Sequence, residues 1–203
     1  MWRKDGIARE NREPIPGLEK LLVLTADDLF RNVSVKGKVV VFDDEHYYMG
    51  GVLAEKLRNE GHDVSLVTPA PDISHWTHNT MEQGRIQKKL LQIGVKLFPQ
   101  NNLYSAKDGY VELACVFTDN ITQYDCDTLV LVTERIPNDQ IYQNLQNEKK
   151  IFSKSRIKTI QLLGDCLAPG IIASAVYSGH LAAREFQMGT IEEVPFRRER
   201  VII

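Results

Sequence analysis

Cysteine is scarce in this sequence. Its three residues, Cys115, Cys126 and Cys166, stand far apart and form no CxxC pair. That excludes a disulfide framework and, within the chain itself, a zinc or iron–sulfur site built on thiolates. An odd number of unpaired thiols points to a reducing compartment, so a cytoplasmic location and buried thiols are expected. Long hydrophobic runs are missing as well. No apolar stretch approaches the roughly 20 residues of a membrane-spanning helix, so no membrane partner is expected. The opening residues MWRKDGIARENREPIPG carry both charge signs and no apolar segment, which does not fit a signal peptide. Neither charge sign dominates: 25 basic residues face 27 acidic ones, for a net charge of −2. Without a basic stripe, nucleic-acid binding is not expected. The late run FRRER is too short to change that and reads as a solvated tail. Internal repeats and low-complexity segments are also absent.

What is present is an α/β alternation. The polar start ends in Pro14-Ile15-Pro16-Gly17, an extended segment. Residues 18–24 contain the short apolar run LLVL, which predicts a strand, and Thr25 with Asp28 has the spacing of a helix-capping box. Val39, Val40, Val41 and Phe42 form the continuous apolar run of a strand buried on both faces. A helix over 52–59 follows, stopped by Gly61, and then a strand over 64–67. Strand, helix, strand within thirty residues is a βαβ unit. Further on, the pattern predicts a helix over 78–93 with Met81, Ile86, Leu90 and Ile93 on its apolar side, and a strand over 95–98. Strands over 110–117 and 127–133 follow, the first alternating as a half-exposed antiparallel hairpin would. A short helix is expected over 138–146, a charged crossing over 147–156 and a strand over 157–163. The last element is a long helix over 170–187 with Ile172, Val176, Gly179, Ala183 and Phe186 on one face, suited to close packing on a sheet.

The turn after the first buried strand, in VVVFDDEHYYMGG, is the informative stretch. A dinucleotide-binding turn needs G-x-G-x-x-G, for tightness, for close approach of the pyrophosphate and for helix packing. Alignment on the helix VLAEKL places Glu45, Tyr47 and Gly50 at those three positions, with Gly51 beside the last. Only the packing glycine is kept. Asp43, Asp44 and Glu45 put consecutive carboxylates where a phosphate would sit. A like-charge contact near 4 Å is unfavourable by about 1 kcal/mol in water and about 4 kcal/mol at an effective dielectric of 20, whereas a helix N-terminus offers at most about 2 kcal/mol the other way. The second strand ends in Thr68-Pro69 instead of the acidic residue that holds a ribose. NAD(P) binding is therefore not expected at this degenerate turn. A closed nucleotide pocket is expected instead, and a repurposed pocket or metal site at the three acids stays open.

Other candidates are weaker. His75 and His78, three apart in HWTH, show no partner carboxylate of metal-like spacing and read as capping or packing residues. His180 is expected to be packed within the long helix. No metal site and no nucleophile, general-base or paired-carboxylate arrangement is expected.

Two later segments carry a family likeness. LVLVTERIPNDQIY resembles the strand-and-turn motif of two-dinucleotide-domain flavoprotein reductases, with Thr133, Arg135, Pro137 and Asn138 matching and Glu134 in place of a glycine. LLGDCLAPGIIASAVYSGHLAARE resembles their closing motif, in which a Gly-Asp pair, here Gly164 and Asp165, precedes the long helix. With PIPG, VVVFDDEHYYMGGVLAEKL, GHDVSLVTP and HNTMEQGRIQKKL, the whole chain resembles, in order, part of trimethylamine dehydrogenase and its relatives. These are the histamine and dimethylamine dehydrogenases and the N-methylproline or dimethylglycine demethylases, which are NADH:flavin oxidoreductases of the old-yellow-enzyme type.

The resemblance implies a Rossmann-like nucleotide-binding fold, of the glutathione-reductase NAD-domain type, plus the closing half of a second, FAD-type fold. Residues 1–35 would be an N-terminal segment of the outer fold, 36–146 the inner NAD(P)-type domain, and 147–203 the closing strand, helix and tail of the outer fold. Gly164, Asp165, Ala168 and Pro169 would line an ADP or FAD cleft, unless Asp165 only caps its own loop. FMN and a 4Fe-4S cluster are expected in an N-terminal barrel portion that this chain lacks. The implied activity of the intact flavoprotein is oxidative dehydrogenation or demethylation of a methylated amine. Its implied partners are that barrel portion, a second copy in a homo-oligomer and an electron-transfer flavoprotein. This portion would serve as scaffold, adenine-nucleotide and subunit-contact region, inactive alone. The alternatives are an NAD(P)H-dependent flavin reductase domain of the dienoyl-CoA-reductase kind and a non-catalytic interaction module.

Overall fold

The computed structural model describes residues 1–9, 12–147 and 159–186. The chain divides into two compact units, Met1–Ile136 and Pro137–Ile203.

The first unit is mixed α/β, built on a parallel sheet. Its elements are β1 (Leu22–Thr25), α1 (Ala26–Phe30), β2 (Lys38–Asp43), α2 (Met49–Asn59), β3 (Asp63–Val67), α3 (Gln83–Gln92), β4 (Lys96–Phe98), β5 (Asn101–Lys107), β6 (Tyr110–Cys115), β7 (Ile121–Asp125) and β8 (Thr128–Val132). Five strands form the parallel sheet in the order β1-β8-β2-β3-β4, and β5-β6-β7 form an antiparallel sheet. Strand alternation assigns the two faces. Val39 and Val41 of β2 pack with Leu53 and Leu57 of α2 and Leu90 of α3. Val40 and Phe42 pack on the opposite side with Leu103, Val111 and Leu113 of the antiparallel sheet. The parallel sheet is thus covered by helices on one face and by a second sheet on the other. Each fully buried Val, Leu or Phe contributes about 1.5–3 kcal/mol relative to exposure.

Local signals place the ends. Asp28 closes the capping box at Thr25, accepting from the Thr25 amide at 2.8 Å and its hydroxyl at 2.9 Å. Gly61 follows the last turn of α2 with φ +93°, the left-handed conformation that favours glycine.

The structure departs from the sequence pattern in several places. The strand expected at the LLVL run within 18–24 is β1, and the residues before it form a 3-10 helix (Leu18–Lys20). The helix expected from 78 is divided. His75–Thr80 is a 3-10 helix, Met81 turns left-handed at φ 58°, and α3 starts at Gln83. Met81 is accordingly 93% exposed and not on an apolar face. The antiparallel strand expected over 110–117 is present but ends at Cys115, and Phe117 lies beyond it, exposed. Strands β5 and β7 escape a reading by alternation because a register shift between Leu103 and Ser105 breaks the first, and β7 is an edge with a polar outer face.

In the second unit, α4 (Gln140–Asn147), a 3-10 helix (Gly164–Cys166) and α5 (Ile172–Glu185) are described. The crossing expected over 147–156 and the terminal tail fall almost wholly outside the described residues. Residues 159–163 form no ladder, although Leu163 has extended dihedrals, φ −139° and ψ 153°. A strand needs a neighbour to pair with, and no strand occurs among the described residues of this unit. For the same reason α5 packs on no sheet among the described residues of this unit, and Ile172, Val176, Tyr177 and Phe186 are 84%, 53%, 64% and 72% exposed.

The contact between β2 and α2 leaves no room for a side chain at Gly50. A Cβ on Gly50 would lie 2.3 Å from Asp43 Oδ2 and 2.7 Å from Asp43 Cβ. Gly50→Ala should therefore destabilise the chain by about 1–3 kcal/mol through overpacking, read from the urea midpoint at unchanged slope. Asp43 itself is fully buried, and that burial pushes its carboxyl up to about 7 against the opposing hydrogen bond from the His46 amide. The unfolded chain sheds this proton near pH 4 while the folded chain keeps it to about 7, so stability falls as pH rises through that window. Asp43→Asn keeps an oxygen for the turn amides and has no proton to lose. In parallel denaturation series it should match the wild type near pH 4 and exceed it by a few kcal/mol above pH 8, since each tenfold change in proton affinity is worth about 1.4 kcal/mol.

Candidate functional site

The turn between β2 and α2 sits at the carboxyl ends of the parallel strands, where open α/β sheets bind ligands. Its backbone is spoken for internally. The amides of Glu45 and His46 donate to Asp43 Oδ1 at 3.1 and 3.0 Å. The amides of Asp44 and Glu45 also point at the Val132 carbonyl at the end of β8, 2.9 and 3.2 Å away. These are the kinds of N–H groups that would cradle a phosphate. Here a buried carboxyl group takes the place of the anion.

Asp43 and Asp44, with Gly50 and Gly51, are buried, and Glu45, Tyr47 and Tyr48 are half-buried. Asp44 is fully buried, with Oδ1 3.1 Å from His46 Nε2. His46 adopts φ 67°, a left-handed conformation uncommon outside glycine. Burial pushes the Glu45 carboxyl above the usual range, opposed chiefly by Arg135, whose Nη2 lies 3.4 Å from Oε1. Asp43 Oδ2 and Glu45 Oε2 are buried without a hydrogen-bond partner. The Tyr47 and Tyr48 ring centres lie 4.3 Å apart, and the Tyr48 hydroxyl reaches Thr80 at 3.0 Å and Glu82. Gly51 packs towards Ser74, whose Oγ would be 3.2 Å from an added Cβ.

Two segments enclose this turn. The N-terminal residues pair with the chain after β8: Arg3 donates to the Glu134 carbonyl at 3.0 Å, Glu134 to Ile7 at 3.3 Å and Ile136 to Met1 at 2.7 Å. Trp2 forms an antiparallel bridge with Arg135, whose guanidinium lies 5.4 Å from its ring centre. On the other side, the Trp76 amide donates to the His46 carbonyl at 2.9 Å, and Arg9 stacks 4.1 Å over the Trp76 ring. The end of β3 offers no ribose ligand, because buried Thr68 accepts from the Ala70 amide at 3.2 Å. Trp2 and the Trp76 amide were not foreseeable from local pattern.

The expectation that His75 and His78 lack a carboxylate partner is overturned. Asp72 lies 2.8 Å from His75 Nδ1 through one oxygen and 2.7 Å from His78 Nε2 through the other. The missed signal is the spacing of three between His75 and His78, which aligns them on a 3-10 helix, with Asp72 shortly before its start. Partial burial pushes the Asp72 carboxyl up, but the two histidine contacts outweigh it and hold it below the usual range.

In the second unit, Gly164 takes φ +59° and its amide donates to Ser178 Oγ at 2.9 Å. Its carbonyl accepts from Leu167 and Ala168, each at 3.0 Å. Asp165 is exposed and accepts from the Gly170 amide at 3.2 Å, and Pro169 completes the loop. The first turn of α5 has no side-chain cap. His180 is exposed on α5, not packed. Of the three cysteines only Cys126 is buried, where desolvation pushes its thiol up to about 12; Cys115 and Cys166 are partly exposed.

Residues 24–128 match the family model described as the OYE-like second alpha/beta domain. Dimethylamine dehydrogenase of Hyphomicrobium sp. (strain x) is 28% identical over 221 residues, covering 98% of this chain and 30% of that protein. The solved structure of histamine dehydrogenase from Rhizobium sp. 4-9 is 38% identical with a TM-score of 0.94, covering 100% of this chain and 32% of the other. The 6-hydroxypseudooxynicotine amine oxidase of Pseudomonas geniculata N1 is 31% identical with a TM-score of 0.83, covering 92% and 28%. The chain thus spans about a third or less of the relatives it matches. No described helix is long and apolar enough to cross a membrane. The chain belongs to the OYE-like second alpha/beta domain family, in the group of the trimethylamine and histamine dehydrogenases.

Proposed function

We propose that this chain is the C-terminal, reductase-like portion of a flavin-dependent oxidoreductase acting on a methylated amine. Within it, the chain acts as scaffold and contact surface, and the substrate chemistry belongs elsewhere. FMN and an iron–sulfur cluster in the barrel portion would supply the hydride and electron-transfer chemistry. The proposed lineage keeps the sequence boundaries. Residues 36–146 would descend from an NAD(P)-type Rossmann-like domain, and 1–35 with 147–203 from an FAD-type fold. The exposed apolar residues of α5 suit packing against the rest of that outer fold.

The observation that carries the scaffold reading is the Asp43 carboxyl accepting the Glu45 and His46 amides. NAD(P) does not fit here: its pyrophosphate would meet buried acids where it needs open N–H groups. An adenine nucleotide fits the second unit better. Gly164, Asp165, Ala168 and Pro169 would hold ADP or FAD, with the uncapped first turn of α5 offering amides to phosphate. A working NAD(P)H-dependent reductase domain is the disfavoured alternative. A docking module without nucleotide is compatible with the sealed turn, but offers no use for the open amides of α5.

Calorimetric titration of the chain with NADH and NADPH tests this reading. No saturable heat is expected. Binding with a dissociation constant near 1 μM, worth about 8 kcal/mol, would overturn the scaffold reading and make the chain a reductase domain.

A further inference from the structure

Asp72, His75 and His78 form a group that nothing in the proposed function uses. We propose that these three side chains are a binding site for one divalent transition-metal ion, of which Zn²⁺ is the natural occupant. The inference is independent of the scaffold reading.

The geometry comes from the helix type. A 3-10 helix has three residues per turn, so residues three apart eclipse one another. His75 and His78 fall on one side of His75–Thr80, and Asp72 precedes them by the same spacing. The two rings meet edge to face, with centres 5.2 Å apart. One ligand atom from each of the three residues lies within 4.8 Å of the others. Two imidazoles and a carboxylate suit Zn²⁺, with one position left for water, whereas Ca²⁺ and Mg²⁺ require mostly oxygen.

The site is held from behind. Thr77 is fully buried and its hydroxyl donates to the Ser74 carbonyl at 2.7 Å. The Trp76 amide is tied to His46 at 2.9 Å. The backbone is fixed, while the ligand side chains stay adjustable at 29%, 41% and 53% exposure for Asp72, His75 and His78. That freedom is needed. Donor atoms now 2.7–2.8 Å apart must open to about 3.3 Å around a tetrahedral ion with bonds near 2.0–2.1 Å. Small rotations of exposed rings achieve this without repacking the core.

The test is Zn²⁺ titration of the full chain near neutral pH against a chromogenic competitor, with Co²⁺ as a spectroscopic probe. Wild type should bind one equivalent of Zn²⁺, and Co²⁺ should give the intense visible bands of a four-coordinate nitrogen–oxygen site. H75Q and H78Q should each weaken Zn²⁺ binding by about 100-fold or more, since even outer-shell changes cost 10–100-fold. The control H180Q, on α5, should leave it unchanged. Absence of stoichiometric binding, or equal binding by the H75Q/H78Q double variant, overturns the proposal. Should a variant fail to fold, the wild-type Co²⁺ spectrum decides. Intense bands support the site, and the weak spectrum of hydrated Co²⁺ overturns it.

Discussion

Everything in the first unit hangs on β8. It lies between β1 and β2, pairing with both in parallel, and all five of its residues are buried. It reaches that place only after β3 and β4 have been added beyond β2 and β5 to β7 have formed the separate antiparallel sheet. Its first residue, Thr128, fixes one end of the β2 entrance by exchanging hydrogen bonds with the Lys36 backbone at 3.0 and 2.7 Å. Its last, Val132, faces the Asp44 and Glu45 amides at the other end. The strand therefore sets both where β2 starts and how the turn after it is shaped. The residues immediately after β8 then pair with the N-terminal segment, so one strand also determines what covers the turn.

That dependence explains why the turn can be sealed without loss of the fold. A buried unpaired polar group costs about 1–3 kcal/mol, and an uncompensated buried charge much more. The turn answers this by letting Asp43 take a proton near neutrality, by bonding it to two amides, and by setting Arg135 beside Glu45. A bound dinucleotide would have to break the amide bonds to Asp43 before making contacts of its own. The packing glycine, by contrast, must stay, because any side chain at Gly50 would meet Asp43. Selection for packing and selection for phosphate binding are separable demands on the same short motif.

The sequence was most legible where one local rule decides the outcome. The buried run of β2, the capping box at Thr25 and the left-handed Gly61 each followed from neighbours within a few residues. So did the loss of the phosphate-binding glycines at Glu45 and Tyr47. It was least legible where partners are distant or patterns are broken. Strand β5 runs into β6 through Asp108-Gly109, with Gly109 at φ +80°, and that Asp-Gly pair is a hairpin signal. The register shift in β5 masked the alternation that would have supported it. Residues 159–163 have the composition of a strand, yet composition cannot provide a neighbouring strand. The closure of the turn by Trp2 and the Trp76 amide depends on contacts separated by scores of residues, which no window in the sequence contains.

Asp72, His75 and His78 show how the choice between two helix types changes chemistry. Read with a period of 3.6, HWTHNTMEQ starts a helix whose histidines drift apart around the axis, and Asp72 lies outside it. With a period of 3.0 the two histidines stack, and Asp72, set before the left-handed turn at Ser74, reaches both. What selects the tighter helix is anchoring at both ends. Ser74 is left-handed at φ 52° and buried, and Met81 is left-handed at φ 58°, which prevents continuation into α3. Thr77 donates back to Ser74, and Trp76 is tied to the sealed turn through His46. The same segment that braces the turn after β2 thereby displays two imidazoles beside the Asp72 carboxylate. Bracing the turn and grouping these side chains are consequences of a single choice of backbone.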